Sequence, residues 1–299
     1  MKSVLSIGNF DGLHIGHQKL LSKVIELAKE RNLKSVVITY DNHPVQTLNN
    51  NSCSYILLPP LQKKDRILSM GINEVQLLHF DDKLAKTSAE DFLRLYMVAK
   101  FNPAIIVLGY DSHFGYQRRG DYQFLLEQSK TYGFEVEYVE PILYNNRIIS
   151  SSLIRKMLIS GNLYEANRLL GQPYTLYGKV GRGKGIGKEL GYPTVNLKLD
   201  DPYQLIPYNG VYISKAITGS IVFYGLTNIG ISPTLKKRDR VEIETYLLDV
   251  NNDFGGFSFS IQLLHYLREE RMFPDKDALK RAIEKDVAFA KNLVDNRII

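Results

Sequence analysis

Partway along the chain the pattern of apolar residues changes, and that change limits what the chain can build. Before Gly171, short apolar runs alternate with stretches of helical spacing. Val4–Ile7, Ser35–Tyr40, Glu74–Leu78, Ala104–Leu108 and Glu135–Val139 read as strands. Gln18–Arg31 carries Leu20, Leu21, Val24, Ile25 and Ala28 at helical spacing. Lys63–Met70 and Asp121–Thr131 read as helices, and Ser88 with Asp91 opens another that runs to about Ala99. Near-continuous apolar strands separated by helices predict a parallel sheet with helices on both faces. Two short helices follow, Leu153–Ser160 and Leu163–Leu170, and then Gly171-Gln172-Pro173. Beyond them the strands come without intervening helices: Tyr174–Val180, Thr194–Leu199, Gly210–Ala216, Ile221–Ile229, Val241–Asp249 and Phe257–Leu267. One long helix, about Asp275–Asn296, ends the chain. That pattern predicts an antiparallel β-barrel with a terminal helix. The expected division is therefore 1–171 and 172–299.

The 299 residues, 44% hydrophobic and 23% charged, suit a globular chain with one large core or two modest ones. No apolar run approaches the ~18 residues of a membrane span. The N-terminus enters a strand at once, without the parts of a secretory signal, so the expected location is cytoplasmic. The lone Cys53 excludes an internal disulfide and a cysteine metal cluster. A net charge of +6 permits nucleic-acid binding, but no Lys/Arg block accompanies it, and clefts for anionic phosphates explain it equally. Tyrosines and phenylalanines, 19 and 13, could stack on a flat ligand.

In parallel α/β sheets, ligands bind beyond the carboxyl ends of the strands. Gly8-Asn9-Phe10-Asp11-Gly12-Leu13-His14-Ile15-Gly16-His17 lies there, between the first strand and the first helix. Glycines let phosphate oxygens approach the backbone, and a helix N-terminus offers free N–H groups. Imidazoles His14 and His17 can donate hydrogen bonds to phosphates, an interaction that grows as charge develops in a transition state. Two histidines near a turn can also be plain surface residues. A Walker-type phosphate loop is absent. His43-Pro44 follows the second strand, Gly109–Gly115 follows the fourth, and Ser151, Ser152 and Arg155 open a helix that could grip pyrophosphate or simply be capped.

These motifs, with Leu108–Asp121 and Ile149–Arg155, resemble the adenylyltransferase module of bacterial FAD synthetases. The resemblance implies a Rossmann-like domain in which FMN phosphate attacks the α-phosphorus of ATP and releases pyrophosphate. It places ATP at Gly8, Asn9, Phe10, Asp11, Gly12, Gly16, Ser151 and Ser152, with His14, His17 and Arg155 catalytic. It places the flavin at His43, Asp111, Phe114 and Arg118. Asn42, Ser112 and Ser152 depart from the usual residues of that family.

In the second half, Gly178–Lys188 is rich in glycine and basic residues and precedes Pro193-Thr194-Val195-Asn196. A glycine-rich hairpin is commonly only a turn. Thr194 and Asn196, two apart on a strand, point to one face, and their oxygens suit Mg²⁺ held on ATP phosphates. With Gly225–Gly230, Glu244–Asp249 and Leu267–Phe273 in this order, the segment resembles a riboflavin kinase module from about Tyr174 onward. That resemblance makes Glu270 the catalytic base and Thr194 and Asn196 the Mg²⁺ site. It puts Gly178, Gly183, Lys184, Gly187 and Lys188 at phosphate and Asn228, Glu244 and Arg268 at flavin. Lys188, Tyr246 and Phe254-Gly255-Gly256 depart from its usual residues.

The whole then resembles a bifunctional enzyme that makes FMN from riboflavin and ATP, releasing ADP, and FAD from FMN and ATP. Two other readings stand beside it: a chain with only the kinase half active, and a non-catalytic, flavin-responsive regulator that binds nucleic acid.

Overall fold

The computed structural model describes residues 2–42, 55–181, 186–232, 240–250, 252 and 254–296. Contacts divide the chain into two units, Met1–Ser151 and Ser152–Ile299.

The first unit runs β1 (Ser3–Ile7), α1 (Ile15–Glu30), β2 (Lys34–Tyr40), α2 (Pro60–Ser69), β3 (Glu74–Leu78), α3 (Asp82–Ala85), α4 (Ala89–Phe92), α5 (Ala99–Phe101), β4 (Pro103–Gly109), α6 (Tyr122–Tyr132) and β5 (Glu135–Val139). These strands form one parallel sheet in the order β3-β2-β1-β4-β5. Every residue of β1 is buried, as expected of a central strand covered on both faces. The strand order reverses beside β1, so the crevice between the carboxyl ends of β1 and β4 is the natural ligand position. Both the Gly8–His17 loop and the loop after Gly109 open there.

Local chemistry moves several boundaries. Pro60 starts α2 ahead of the expected Lys63, because proline's missing N–H costs nothing in a first helical turn. Ser88 caps α4 by accepting from the Asp91 N–H at 3.0 Å, but the helix widens into a π-helical stretch, Leu93–Val98, before α5. A wide turn brings residues five apart onto one face, and Phe92 and Met97 are both buried in the core. A short hairpin, β6 (Leu143–Tyr144) and β7 (Arg147–Ile148), turns on Asn145 and Asn146 with φ of 48° and 59°. Asparagine tolerates that left-handed conformation.

The second unit begins within α7 (Ser151–Ile159) and continues through α8 (Leu163–Leu170) into β8 (Tyr174–Gly181). Then come α9 (Ile186–Glu189), β9 (Thr194–Leu199), β10 (Gly210–Thr218), β11 (Ile221–Ser232), β12 (Arg240–Leu247), β13 (Ser258–Arg268) and α10 (Lys276–Asp295). The strands close an antiparallel barrel in the order β10-β11-β12-β9-β8-β13. Helices α7 and α8 pack with this barrel. The Tyr208 N–H donates to the Leu158 carbonyl at 2.9 Å, and the Asn167 amide donates to Leu263 O at 2.9 Å while accepting from the Tyr174 N–H at 2.7 Å. The packing boundary therefore falls at Ser151/Ser152, ahead of the change of pattern at Gly171.

Alternation along the barrel strands separates two faces. Ser214, Thr227 and Thr245 are fully buried and satisfy one another, with hydroxyl oxygens 2.7 and 2.8 Å apart. On the opposite face, strand register lays Asn228, Glu244 and Asn196 in one row and Leu226, Tyr246 and Thr194 in the next. Val211, Ile213 and Leu226 of this face form a core cluster with Ala290 of α10.

Candidate functional site

The first unit's site grows from the β1–α1 connection. The Gly8 N–H still donates to Ile38 O at 3.1 Å, extending the sheet pairing. The Asn9 carbonyl accepts from Thr39 Oγ1 at 3.1 Å and from Lys63 Nζ at 2.8 Å. Phe10, Gly12 and Leu13 then take φ of 50°, 77° and 47°, a turn in which glycine avoids the Cβ penalty. The Asp11 carboxylate is buried and accepts from the N–H groups of Leu57 at 2.9 Å and Leu58 at 3.1 Å. Asp11 was expected to touch phosphate. Its carboxylate instead turns inward and ties the loop to the segment just before α2. The Asp11 carbonyl accepts from Ser151 Oγ at 2.9 Å, so Ser151 does join this loop.

His14 is the N-cap of α1: its Nδ1 accepts from the His17 N–H at 3.4 Å. The two rings stack with centroids 3.6 Å apart, and Phe10 meets His17 edge-on at 5.3 Å. Gly8 and Gly16 leave room for these rings, since a Cβ would sit 3.1 Å from Phe10 and 3.2 Å from His14, respectively. Burial lowers the His14 pKa to about 4. Burial, then the charges of His14 and Lys63, hold His17 well below its ordinary value. Both imidazoles are neutral at pH 7. The accepting Nδ1 assigns the His14 proton to Nε2. His17 Nδ1 is buried with no hydrogen-bond partner among the described residues.

The loop after β4 corrects one expectation. Phe114, read as a flavin contact, is 2% exposed and packs on Phe92 and Phe124 inside the core. Asp111 and Arg118 are exposed on this loop, bridged by His113, whose Nδ1 lies 2.9 Å from Asp111 O and 3.3 Å from Arg118 Nη2. The two unusual residues have local work. Ser112 Oγ accepts from the Gly109 N–H at 3.1 Å. The Asn42 amide pairs both ways with the Phe80 backbone, at 2.9 and 2.8 Å, linking the ends of β2 and β3. Ser152 and Arg155 stand on α7 in the second unit. His43, Gly183, Lys184 and the side chain of Lys188 lie outside the described residues.

The second unit holds a cavity of about 620 Å³, lined by the outer barrel face and by α10. Thr194, Asn228, Glu244 and Glu270 line it, as do Tyr192 and Tyr246, whose rings meet edge-on at 5.2 Å. Glu270 Oε1 accepts from Asn228 Nδ2 at 3.3 Å. Its carboxylate lies over Gly230 so closely that a Cβ there would overlap it. Asn196 shares the row of Glu244 and Asn228. Among the described residues, no three His, Cys, Asp or Glu gather as a metal site. The available donors are the Thr194 hydroxyl and the Asn196 amide oxygen. Hard oxygens of this kind suit a Mg²⁺ that is bound largely by substrate phosphates.

Arg268, expected at flavin, lines the cavity, but its guanidinium is committed elsewhere. It donates to Asp286 from Nη2 at 2.7 Å and from Nε at 3.0 Å, and from Nη1 to Glu269 O at 3.1 Å. It thereby fastens α10 beside Glu270. Gly178, expected at phosphate, sits in the body of β8, where a side chain would overlap the Lys198 carbonyl of β9. Gly187 does line the cavity, in a turn whose carbonyl accepts from the Tyr192 N–H at 2.8 Å.

Two residues were not singled out from sequence. Lys63 is 4% exposed, and Asp286 is buried on α10 between Ala282 and Ala290. The signal was present in both: a charge four residues from buried apolar neighbours (Ile67 for Lys63) lies on the inward face of a helix.

Residues 1–153 match the FAD synthetase family model and residues 170–294 the riboflavin kinase model. The bifunctional riboflavin kinase/FMN adenylyltransferase of Buchnera aphidicola subsp. Schizaphis graminum is 36% identical, over 97% of this chain and 93% of that protein. Those of Bacillus subtilis and Escherichia coli K12 are 33% and 32% identical, over 95% and 96% of this chain and 90% and 91% of their own. A crystal structure named macrolide-efflux protein, from Streptococcus pneumoniae, superposes with a TM-score of 0.87 at 29% identity, covering 97% of this chain and 94% of that one. No helix among the described residues is long and apolar enough to cross a membrane. With a family model on each unit and relatives aligned along nearly the whole length, this chain belongs to the bifunctional riboflavin kinase/FMN adenylyltransferase family.

Proposed function

We propose that Glu270 is the base of riboflavin phosphorylation in the barrel unit, and that His14 and His17 stabilise adenylyl transfer to FMN in the first unit. The observation that carries the kinase assignment is the Glu270 carboxylate, which lines the cavity while Asn228 donates to it and Gly230 gives it room. In that role Glu270 accepts the proton of the ribityl 5′-hydroxyl as its oxygen attacks the γ-phosphorus of ATP and ADP leaves. Thr194 and Asn196 would hold Mg²⁺ on the ATP phosphates. The ion supplies charge neutralisation at the transferring phosphoryl group. The Tyr192–Tyr246 pair offers an aromatic wall in the same cavity.

In the first unit, a phosphate oxygen of FMN attacks the α-phosphorus of ATP and pyrophosphate leaves. The attacking oxygen is already anionic, so positioning and charge stabilisation dominate. The neutral His14 donates from Nε2 to the phosphates, with the His17 ring stacked against it. Arg155 and Ser152 are assigned to the pyrophosphate by family resemblance, and Asp111 and Arg118 to the flavin. The enzyme works in the cytoplasm on small molecules. Matches on both units favour neither a kinase-only chain nor a nucleic-acid-binding regulator.

The test is a pair of substitutions in the full chain. His17→Ala should abolish FAD formation from FMN and ATP while riboflavin phosphorylation survives, and Glu270→Gln should do the reverse. Loss of both activities in either folded variant would refute the two-site assignment.

A further inference from the structure

The Lys63 ammonium is buried, yet no carboxylate of the described residues lies within ion-pair distance of it. It donates to two carbonyls, Asn9 O at 2.8 Å and Tyr40 O at 3.0 Å. Asn9 opens the phosphate loop, and Tyr40 is the last residue of β2, so both carbonyls lie at the ligand-facing edge of the sheet. An ammonium carries three N–H donors, and these bonds use two. A buried cation held only by neutral carbonyls is costly unless an anion shares its surroundings. The charges of Asp11 and Asp41 reach the ammonium without pairing with it, and the Asp11 carboxylate accepts from the Leu57 and Leu58 N–H groups. The ammonium also lies close enough to His17 to depress that imidazole's pKa.

Resting on the assignment of adenylyl transfer to this loop, we propose that Lys63 is a positioning residue and fixed positive charge for that step. It draws the Asn9 and Tyr40 carbonyls away from the triphosphate and supplies charge to the departing pyrophosphate. Without it, two carbonyl oxygens would face an anion. Asp11 and Asp41 act on the ammonium only from beyond ion-pair distance, and a bound triphosphate adds counter-charge to theirs. Burial lowers the Lys63 pKa to about 8, with Asp11 and Asp41 acting in the opposite direction. Anion binding raises it, so the lysine is charged whenever substrate is bound near neutral pH.

The groups facing Lys63 are Asp11 from the loop, Tyr40 and Asp41 from the end of β2, and His17 from α1. The Tyr40 phenol is pushed up to about 12 by burial, and His17 titrates in acid, so neither mimics a lysine in the mildly alkaline range.

The experiment uses the full chain with Lys63→Gln and Lys63→Met, with FMN, ATP and Mg²⁺ as substrates and riboflavin phosphorylation as the internal control. Glutamine can still reach a carbonyl but carries no charge. Expected is a fall of about 100-fold in kcat for FAD formation in both variants, with phosphorylation unchanged, by analogy with the loss of one preorganised transition-state donor. Wild-type kcat/KM for ATP, which reports the free enzyme, should also decline above about pH 8, and that limb should vanish in Lys63→Gln. Wild-type kcat in Lys63→Gln, or an alkaline limb that persists in it, would overturn the proposal. If neither variant folds, the unmodified chain still decides: absence of the alkaline limb overturns it. A wild-type chain that forms no FAD at all would instead refute the assignment of the site.

Discussion

Acidification should loosen the first unit specifically through His14. The imidazole is 5% exposed, and burial lowers its pKa from 6.5 to about 4. The unfolded chain therefore binds a proton below 6.5 that the folded chain refuses until about 4. Between those values the unfolded state binds more protons, so stability rises with pH and is lost as pH falls. Each pH unit in this window is worth about 1.4 kcal/mol. The His14 contribution is intact above 6.5, reduced by about 2 kcal/mol at pH 5, and by about 3 kcal/mol at pH 4. His17 shifts in the same direction and adds to the loss. The variant to compare is His14→Asn, because asparagine also caps helices and keeps an acceptor for the His17 N–H. Hydrogen exchange read by mass spectrometry on peptides from α1 and β1, at pH 7 and pH 5, reports the opening free energy of this unit alone. The wild type should lose about 2 kcal/mol more than the variant over that range. Equal losses would mean that His14 is not held neutral by burial, and the donor assignment at Nε2 would fall with it.

Three other outcomes follow from the geometry. Gly230→Ala should cut riboflavin phosphorylation by about 10-fold or more while the melting temperature and FAD formation barely change, because the new methyl displaces the flexible Glu270 carboxylate rather than the barrel. Asp286→Asn should raise the KM for riboflavin and lower the barrel's stability by about 1–3 kcal/mol, measured by urea denaturation, since the guanidinium of Arg268 loses its carboxylate charge and one acceptor oxygen on α10. Asp11→Asn should weaken the loop's hold on Leu57 and Leu58, raising the KM for ATP in FAD formation and costing about 1–3 kcal/mol, with phosphorylation untouched.

Strand and helix identities were legible because each has its own periodicity: β3, β5, β9 and α8 coincide with the segments read from apolar spacing. The Gly8–His17 loop was legible because a strand-to-helix switch fixes its place on the sheet edge. Roles that depend on where a side chain points were not. Phe114 looks like an aromatic in a ligand loop, yet the turn paired between Phe114 and Gly120 aims it into the core. Gly178 sits in a glycine-rich run, yet its reason is the close passage of β9.

By itself, the sequence determined a parallel α/β unit followed by an antiparallel barrel, the place of the two glycine-rich motifs along the chain, and the family. Those depend on local spacing and on motif order along the chain. The tertiary structure alone decided that Asp11 turns inward, that Arg268 is spent on Asp286, that α7 and α8 pack with the barrel, and that Lys63 reaches Asn9 and Tyr40. Each joins residues far apart in the chain. Which partner a buried charge finds is set by how the elements pack, and local sequence does not contain that information.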